Sequence, residues 1–261
     1  MTGYTTEEVS RGTGAATKPA PAASAVTAAL TPVVSFSARS QFRIRAASWA
    51  RKSTGGPTEG AFWIVGEIDP QTRKLPAWAA GSQADVAIVG ADGAQVVSEK
   101  IDVKPGSGAF AIQVPESGGV PAGDYTVRVR LRSPAAGELG LSDTARVAIK
   151  EGSTLGEAVL LRRGPSTGPQ YQRTADPRFQ RRERLRLELA TTVTESAAAR
   201  VLDRTGSAIS LPVEITERQD PSMAFTWIVI DLALAPLAAA DYAVEVTQAE
   251  SKQLTAFRVV P

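Results

Sequence analysis

The sequence predicts an all-β protein of two tandem β-sandwich domains that arose by internal duplication. After Thr31, short runs rich in β-branched residues alternate apolar and polar positions, and Gly, Pro, Asp and Ser turns separate them. The runs form two sets, and matching phrases in the two sets lie 113 to 117 residues apart. A repeat of that length is a whole duplicated domain, because the units of solenoid proteins span only about 20 to 50 residues.

The first set of runs predicts domain 1, which we place at 34–150. Its strands are predicted over 42–50, 61–68, 84–89, 95–101, 109–114, 125–131 and 144–149. The second set predicts domain 2 at 151–261, with strands over 157–161, 184–189, 198–202, 208–215, 225–232, 242–246 and 254–260. Seven strands in about 100 residues are typical of an immunoglobulin-like β-sandwich.

Two pairs of phrases carry the duplication. The stretch DVAIVGADGAQVV from Asp85 matches AARVLDRTGSAIS from Ala198, and each reads as a β-hairpin with a polar-Gly turn. The stretch VPAGDYTVRVR from Val120 matches LAAADYAVEVT from Leu237. In the second pair, Tyr125 and Tyr242 each begin the penultimate strand, where immunoglobulin-like domains place a tyrosine corner. We expect both tyrosines to be structural.

Residues 1–33 are predicted to be a flexible, disordered linker rich in Ala, Pro and Thr. Positions 12–29 carry hardly any bulky side chain, so they cannot offset the entropy cost of ordering. A linker at the start suggests that the chain is a piece of something longer. Residues 1–13 contain two glutamates and no apolar core, and no run approaches 18 apolar residues, so neither a signal peptide nor membrane insertion is expected.

Three residue types are missing from the chain, which contains no Cys, no His and no Asn. Disulfides, thiolate nucleophiles, His-based triads and the common zinc sites are therefore excluded. We predict a protein that is not an enzyme and holds no metal or cofactor. The 29 Lys and Arg residues against 27 Asp and Glu residues also argue against a nucleic-acid partner.

Two patterns in the sequence resemble catalytic motifs. The phrase GPSTG from Gly164 matches the GxSxG nucleophile elbow, but Pro169 and Pro177 argue against the helix that this motif requires. The carboxylate pairs Glu67 with Asp69 and Asp231 with Asp241 could serve glycoside hydrolysis only at a defined separation. Acids at strand ends are more often solvated turn residues, so we expect neither motif to be catalytic.

The strongest charge feature is an arginine strip between residues 162 and 186. Its members are Arg162, Arg163, Arg173, Arg178, Arg181, Arg182, Arg184 and Arg186. One interpretation is that these arginines pair with the acidic remainder of domain 2. The alternative is a docking surface for an anionic partner through Arg163, Arg173, Arg178, Arg181, Arg182 and Arg184. Charge alone leaves both open.

The tryptophans suggest a second binding hypothesis. Trp63 and Trp227 lie inside the apolar runs AFWIVGEI and AFTWIVIDL, which predicts that both are core residues. Trp49 and Trp78 border turns and are the candidates for an exposed stacking platform that binds polysaccharide.

Several phrases in the chain are similar to one bacterial family. LLRRGPSTG from Leu160, TADPRF from Thr174, LAPLAAADYAVEV from Leu234 and the terminal AFRVVP carry the likeness, and FWIVGEID from Phe62 and GDYTVRVRLR from Gly123 extend it into domain 1. With these phrases the chain resembles the C-terminal tandem β-sandwich region of von Willebrand factor A (VWFA)-related proteins. The DxSxS metal signature of the VWFA domain itself is absent. The resemblance implies a secreted or cell-envelope accessory region, and it transfers no site residue.

The first functional hypothesis is therefore a non-enzymatic structural or interaction module that docks a protein or acidic polymer of the envelope. The alternative is a module that binds polysaccharide or an acidic polymer through Trp49 and Trp78 or through the arginine strip. The oligomeric state and the rigidity of the domain pair stay open.

Overall fold

The computed structural model describes residues 21–35, 40–51, 58–137, 140–165, 167–219 and 225–261. These residues form two β-sandwiches in tandem, which confirms the predicted fold class. The helical segments are α1 (Pro21–Val34), α2 (Pro70–Arg73), α3 (Pro76–Ala79) and a 3₁₀ turn over Pro134–Ala136.

Domain 1 is built from two four-stranded antiparallel sheets. Its strands are β1 (Phe42–Arg51), β2 (Glu59–Ile68), β3 (Ser82–Gly90), β4 (Gln95–Val103), β5 (Ala109–Val114), β6 (Val120–Pro121), β7 (Gly123–Arg132) and β8 (Gly140–Ile149). The inner sheet has the order β1-β2-β5, with β6 paired to β2, and the outer sheet has the order β4-β3-β7-β8. The core lies between the sheets and contains Phe62, Ile64, Val127 and Val129.

Domain 2 has two five-stranded sheets, which are antiparallel except that β11 pairs with β18 in parallel. Its strands are β9 (Val159–Arg163), β10 (Gln172–Arg173), β11 (Arg178–Gln180), β12 (Arg184–Thr191), β13 (Ala198–Asp203), β14 (Ala208–Ile209), β15 (Val213–Gln219), β16 (Thr226–Ala233), β17 (Asp241–Gln248) and β18 (Ser251–Val260). The inner sheet has the order β10-β9-β12-β16-β15, and the outer sheet has the order β11-β18-β17-β13-β14. The core between them contains Leu185, Leu187, Ile230 and Val244.

The two domains share one topology. The order β1-β2-β5 in domain 1 corresponds to β9-β12-β16 in domain 2, and β4-β3-β7-β8 corresponds to β14-β13-β17-β18. The strands that the sequence predicts are present, with one difference at 208–215. That segment is divided into β14 and β15, because Pro212 has no N–H to donate to a neighbouring strand. The extra strands β6, β10 and β11 have only two or three residues, too few to show a period.

Both tyrosine corners are confirmed. The hydroxyl of Tyr125 donates to the carbonyl oxygen of Pro121 at 2.6 Å, and that of Tyr242 donates to the carbonyl oxygen of Ala238 at 3.0 Å. Each bond spans four residues and ties the start of a strand to the segment that precedes it. The two tyrosines therefore have the structural role that the sequence predicts.

The prediction of a disordered linker over 1–33 is wrong for the part of that segment that the structure describes. Residues Pro21–Val34 form helix α1, which packs on the outer sheet of domain 2. Val26, Leu30 and Val33 are buried there against Leu202 and Ala243. Alanine has the highest helix propensity, and the spacing of the three apolar residues places them on one helix face. Residues 1–20 lie outside the described residues.

Candidate functional site

The two domains meet through the inner sheets, each of which is therefore covered on both of its faces. On β2, Phe62 and Ile64 point into the core of domain 1, and the residues between and beside them point toward domain 2. The apolar residues of the junction are Ala47, Trp49, Ala61, Trp63, Val65, Val159, Leu161, Tyr171, Ala175, Ala190, Phe225, Trp227 and Val229. The candidate site is this junction, because it fixes how the whole chain presents its surfaces.

A closed ring of four aromatic side chains lies at the centre of the junction. The ring centroids are 6.2 Å apart for Trp49 and Trp63, 6.2 Å for Trp63 and Trp227, 5.0 Å for Trp227 and Phe225, and 5.5 Å for Phe225 and Trp49. Two partners come from each domain. Tilted aromatic pairs at these distances contribute about 0.5–1.5 kcal/mol each beyond the area that they bury.

Arginines of domain 2 cover the edge of this aromatic ring. The guanidinium of Arg173 lies 4.6 Å from the ring centroid of Trp63, and that of Arg218 lies 5.8 Å from the ring centroid of Trp227. Both arginines also approach the buried carboxylate of Glu188, at 4.0 Å and 3.4 Å. The carboxylate therefore holds both cations over the aromatic faces.

A polar clasp beside the ring is centred on Glu67 at the end of β2. One of its carboxylate oxygens accepts hydrogen bonds from the hydroxyl of Thr174 at 2.6 Å, from the amide of Ala175 at 3.0 Å and from the amide of Asp176 at 3.2 Å. All three donors belong to domain 2. A carboxylate that receives several donors in one geometry fixes the relative position of the two elements that it joins.

The chain itself closes the junction where it passes from domain 1 to domain 2. The amide of Glu157 donates to the carbonyl oxygen of Ser48 at 2.7 Å, and the amide of Ser48 donates to the carboxylate of Glu157 at 3.2 Å. Between the domains, a Cβ at Gly156 would lie 2.8 Å from the Cβ of Trp49. This close approach requires glycine.

A groove of about 650 Å³ lies between α1 and the two domains, and Arg45 and Glu157 are among the residues that line it. Burial lowers the pKa of Arg45, and the negative charge of Glu157 opposes that shift. Burial likewise raises the pKa of Glu157, against its hydrogen bond from Ser48 and the positive charge of Arg45. In both groups burial therefore outweighs the attraction between the two opposite charges.

The arginine strip is largely occupied within domain 2. Arg178 donates to both carboxylate oxygens of Asp176, at 3.0 Å and 2.7 Å, and Arg186 donates to both of Asp231, at 3.1 Å and 2.7 Å. Burial opposes the ionisation of Asp176, but the hydrogen bonds from Arg178 outweigh it and lower the pKa of that carboxyl. The interpretation that these arginines pair within the domain therefore holds for both pairs.

Of the other strip arginines, Arg162 pairs with Glu183 at 3.7 Å and Arg173 with Glu188 at 4.0 Å, and the other four have neutral partners. The guanidinium of Arg163 lies 5.0 Å from the ring centroid of Tyr171, and Arg184 donates to the hydroxyl of that tyrosine at 3.3 Å. Arg181 donates to the carbonyl oxygen of Ala235 and Arg182 to the side chain of Gln180, and both arginines are exposed. Of the six proposed docking residues, Arg173 and Arg178 have carboxylate neighbours, so their charge is already compensated. The docking hypothesis for the strip stays a prediction.

The prediction of an exposed platform at Trp49 and Trp78 is wrong. Trp49 is only 3% exposed because the junction covers it, and Trp78 is only 6% exposed because it is part of the core of domain 1. A sugar ring therefore has no access to either indole face. Trp227 is buried and Trp63 is partly buried, but both lie in the junction rather than in a domain core, which corrects the prediction that they are core residues.

Sequence reasoning missed the junction, although a signal for it was present. The run from Ala61 to Val65 and the run from Thr226 to Ile230 are apolar at nearly every position rather than at every second one. A continuous apolar run indicates a strand that is buried on both faces. Nothing in the sequence singles out Glu67 as the acceptor of the clasp.

The carboxylates of the two candidate catalytic pairs each have a structural partner. Glu67 belongs to the clasp, and Asp69 accepts from the amide of Gln71 at the start of α2. Asp231 binds Arg186, and Asp241 binds Arg258 at 2.5 Å. Ser166 of the GPSTG motif lies outside the described residues. Among those that are described, no group of three Asp or Glu side chains is placed to hold a metal ion.

Acid is expected to weaken the fold through Asp231. Burial opposes its ionisation, but hydrogen bonds from Arg186 and Tyr171 outweigh this and lower the pKa of Asp231 in the folded state. Between the folded and unfolded pKa values the unfolded chain binds more protons, so stability is present above about pH 4 and is lost as the pH falls. The free energy of unfolding, measured with urea between roughly pH 2.5 and pH 6, should fall less steeply with decreasing pH for Asp231→Asn than for the wild type. Equal slopes would contradict this assignment.

Comparison with known proteins assigns no family to the chain. No family model matches it, and no curated protein matches it. Among solved structures, one that matches is the crystal structure of Dpr2 Ig1-Ig2 in complex with DIP-Theta Ig1-Ig3. It has 7% identity and a TM-score of 0.23 over 76% of this chain and 72% of that chain. At that TM-score the likeness adds nothing to the fold established by the strand order. The resemblance to VWFA-related proteins stays a prediction.

None of the helices that the structure describes is long and apolar enough to span a membrane.

Proposed function

We propose that the chain is a non-enzymatic structural and interaction module, in which two immunoglobulin-like sandwiches act as one rigid body. Its role is to hold and present binding surfaces at a fixed spacing within a larger assembly. We further propose that this assembly is an extracytoplasmic VWFA-related protein, of which the chain is an accessory region. The phrases quoted from Leu160 and Thr174 onward support that context.

The interdomain junction is the single observation that carries this proposal. Tandem domains usually move relative to each other, because the contact between them is small and polar. Here the contact contains a ring of four aromatic side chains, the Glu67 clasp and the buried carboxylate of Glu188. Separating the domains at a junction of this kind costs free energy. Two domains that only need to be tethered would not require such a junction.

The carboxylates with a lowered pKa support a role without catalysis. Active sites bring together groups with strongly perturbed pKa values and leave at least one of them free to react. Asp176, Asp231 and Glu245 each have a lowered pKa, and each is hydrogen-bonded to a neighbouring cation. These carboxylates are therefore engaged in stabilising the fold.

Small-angle X-ray scattering of the intact chain tests the proposal. A rigid pair gives one scattering profile that fits a single arrangement of the domains at both low and high salt. The aromatic part of the junction is insensitive to salt, so the fit is expected to persist. A profile that requires an ensemble of domain orientations would contradict the proposed role.

A further inference from the structure

A row of arginines crosses the outer face of the outer sheet of domain 1. Arg128, Arg130 and Arg132 occupy alternate positions of β7 and are exposed, while Val127, Val129 and Leu131 between and beside them are buried. Lys100 on β4 and Arg146 on β8 are exposed as well. We call the face defined by these five cations the arginine face.

The strand register places small or uncharged side chains around most of these arginines. Arg128 lies between Ala87 and Thr144 on the neighbouring strands, and Arg132 lies between Gln83 and Gly140. Arg130 lies between Asp85 and Ser142.

One arginine of the row forms an ion pair, between Arg132 and Asp85 at 3.0 Å. Within the described parts of the chain, Arg128 and Arg130 form no ion pair. The face therefore keeps an excess of positive charge that the fold does not use.

In domain 2 the corresponding face of the outer sheet is covered and its charges are paired. Glu245 in domain 2 lies 117 residues after Arg128, at the matching position of β17. It pairs with Arg200 at 2.6 Å and with Lys252, and Ala243 beside it contacts helix α1. In domain 2 this face thus has compensated charges and a cover made from the same chain. In domain 1 the same face has one ion pair, between Asp85 and Arg132, and no helix covers it within the described residues.

We propose that the arginine face is a docking surface for an extended acidic protein segment with Asp or Glu at every second residue. Alternate side chains on a strand are about 6.6–6.8 Å apart, and an extended peptide repeats its own alternate side chains at that spacing. Carboxylates on such a peptide lie in register with the three guanidinium groups, whose forked N–H donors suit carboxylates. This proposal rests on the proposed function as an interaction module, but it does not depend on the rigidity of the junction.

The composition of the face favours a peptide over other anions. Single-stranded nucleic acid and sugars bind surfaces that offer aromatic platforms for stacking. The outward residues in register with the arginines are Gln83, Asp85, Ala87, Ser98, Lys100, Asp102, Thr126, Gly140, Ser142, Thr144 and Arg146. No aromatic side chain is among them.

Fluorescence anisotropy with a labelled peptide of alternating Glu and Thr tests the proposal on the full chain. The peptide is expected to bind at low salt. A peptide of alternating Gln and Thr should not bind, and one with the same charges grouped in pairs should bind more weakly. The triple variant Arg128→Glu, Arg130→Glu, Arg132→Glu should weaken binding by about tenfold or more, since three carboxylate contacts become repulsive.

A matched control reverses three exposed cations that lie outside both the arginine face and the arginine strip, namely Lys74→Glu, Lys104→Glu and Arg204→Glu. It changes the net charge equally and should weaken binding by less than about threefold. The neutral variant Arg128→Gln with Arg130→Gln should give an intermediate loss.

Equal losses in both triple variants, or no binding of the acidic peptide, would overturn the proposal. So would tighter binding of polyuronate or single-stranded DNA at this face. Scattering of the triple variant should match that of the wild type, so loss of binding is separable from loss of the rigid pair.

Discussion

Replacing Trp63 by alanine is expected to lower the free energy of unfolding by about 3–5 kcal/mol and to separate the unfolding of the two domains into two transitions. Trp63 contacts Trp49 of its own domain and Trp227 of the other, and its face is covered by Arg173. The truncation opens a cavity at the centre of the junction while both domain cores stay intact. Urea unfolding followed by circular dichroism measures both effects.

The control for this experiment is Trp78→Ala, which removes an indole from the core of domain 1 away from the junction. It should also lower stability by about 3–5 kcal/mol, but the contacts between the domains are left unchanged. If Trp63→Ala unfolds in one transition with wild-type stability, the aromatic ring does not couple the domains.

Replacing Glu67 by alanine is expected to cost about 2–4 kcal/mol of stability. The substitution removes the oxygen that accepts from the hydroxyl of Thr174 and from the amides of Ala175 and Asp176. The amide of Asp176 keeps a bond to the Thr174 hydroxyl at 3.1 Å and that hydroxyl keeps the carbonyl oxygen of Asp176 at 3.4 Å, so the amide of Ala175 is the donor left unsatisfied. Unsatisfied donors at a partly buried interface cost more than the hydrogen bonds themselves contribute. Thermal and urea unfolding at neutral pH measure the loss.

Two further variants separate the clasp from a general charge effect. Glu67→Gln keeps one acceptor oxygen and should lose roughly half as much stability as the alanine variant. Glu116→Ala removes an exposed acid from a turn of domain 1 and should change stability by less than about 0.5 kcal/mol. A Glu67→Ala variant as stable as Glu116→Ala would show that the clasp contributes nothing.

The sandwich fold was predictable because its signals are local. Alternation along β7, the polar-Gly turns and the matched positions of Tyr125 and Tyr242 all depend on neighbours within a few residues. Because the domain is duplicated, the same strand pattern occurs twice in the sequence, and each copy supports the interpretation of the other. Helix α1 was missed because an Ala-rich segment has too little hydrophobic contrast to distinguish a docked helix from a linker.

The junction and the arginine pairs depend on contacts between residues that are distant in the chain, so the sequence could not place them. Trp49 borders a turn in the sequence, yet the other domain buries it. The arginine strip stands out by local density, yet a carboxylate two residues away occupies Arg178. In contrast, Arg128, Arg130 and Arg132 are spread along a strand, and their common face becomes visible only once the sheet is assembled.

The distance between nitroxide labels on the two domains is the most direct test of the rigid pair. The chain has no Cys, so Ala91→Cys and Arg204→Cys place one label in the β3–β4 turn and one in the β13–β14 turn, both exposed. Double electron–electron resonance should give one narrow distance distribution for this doubly labelled chain, and Trp63→Ala should broaden it. A broad or multimodal distribution in the chain without the Trp63 substitution would contradict the rigid junction on which the proposed function depends.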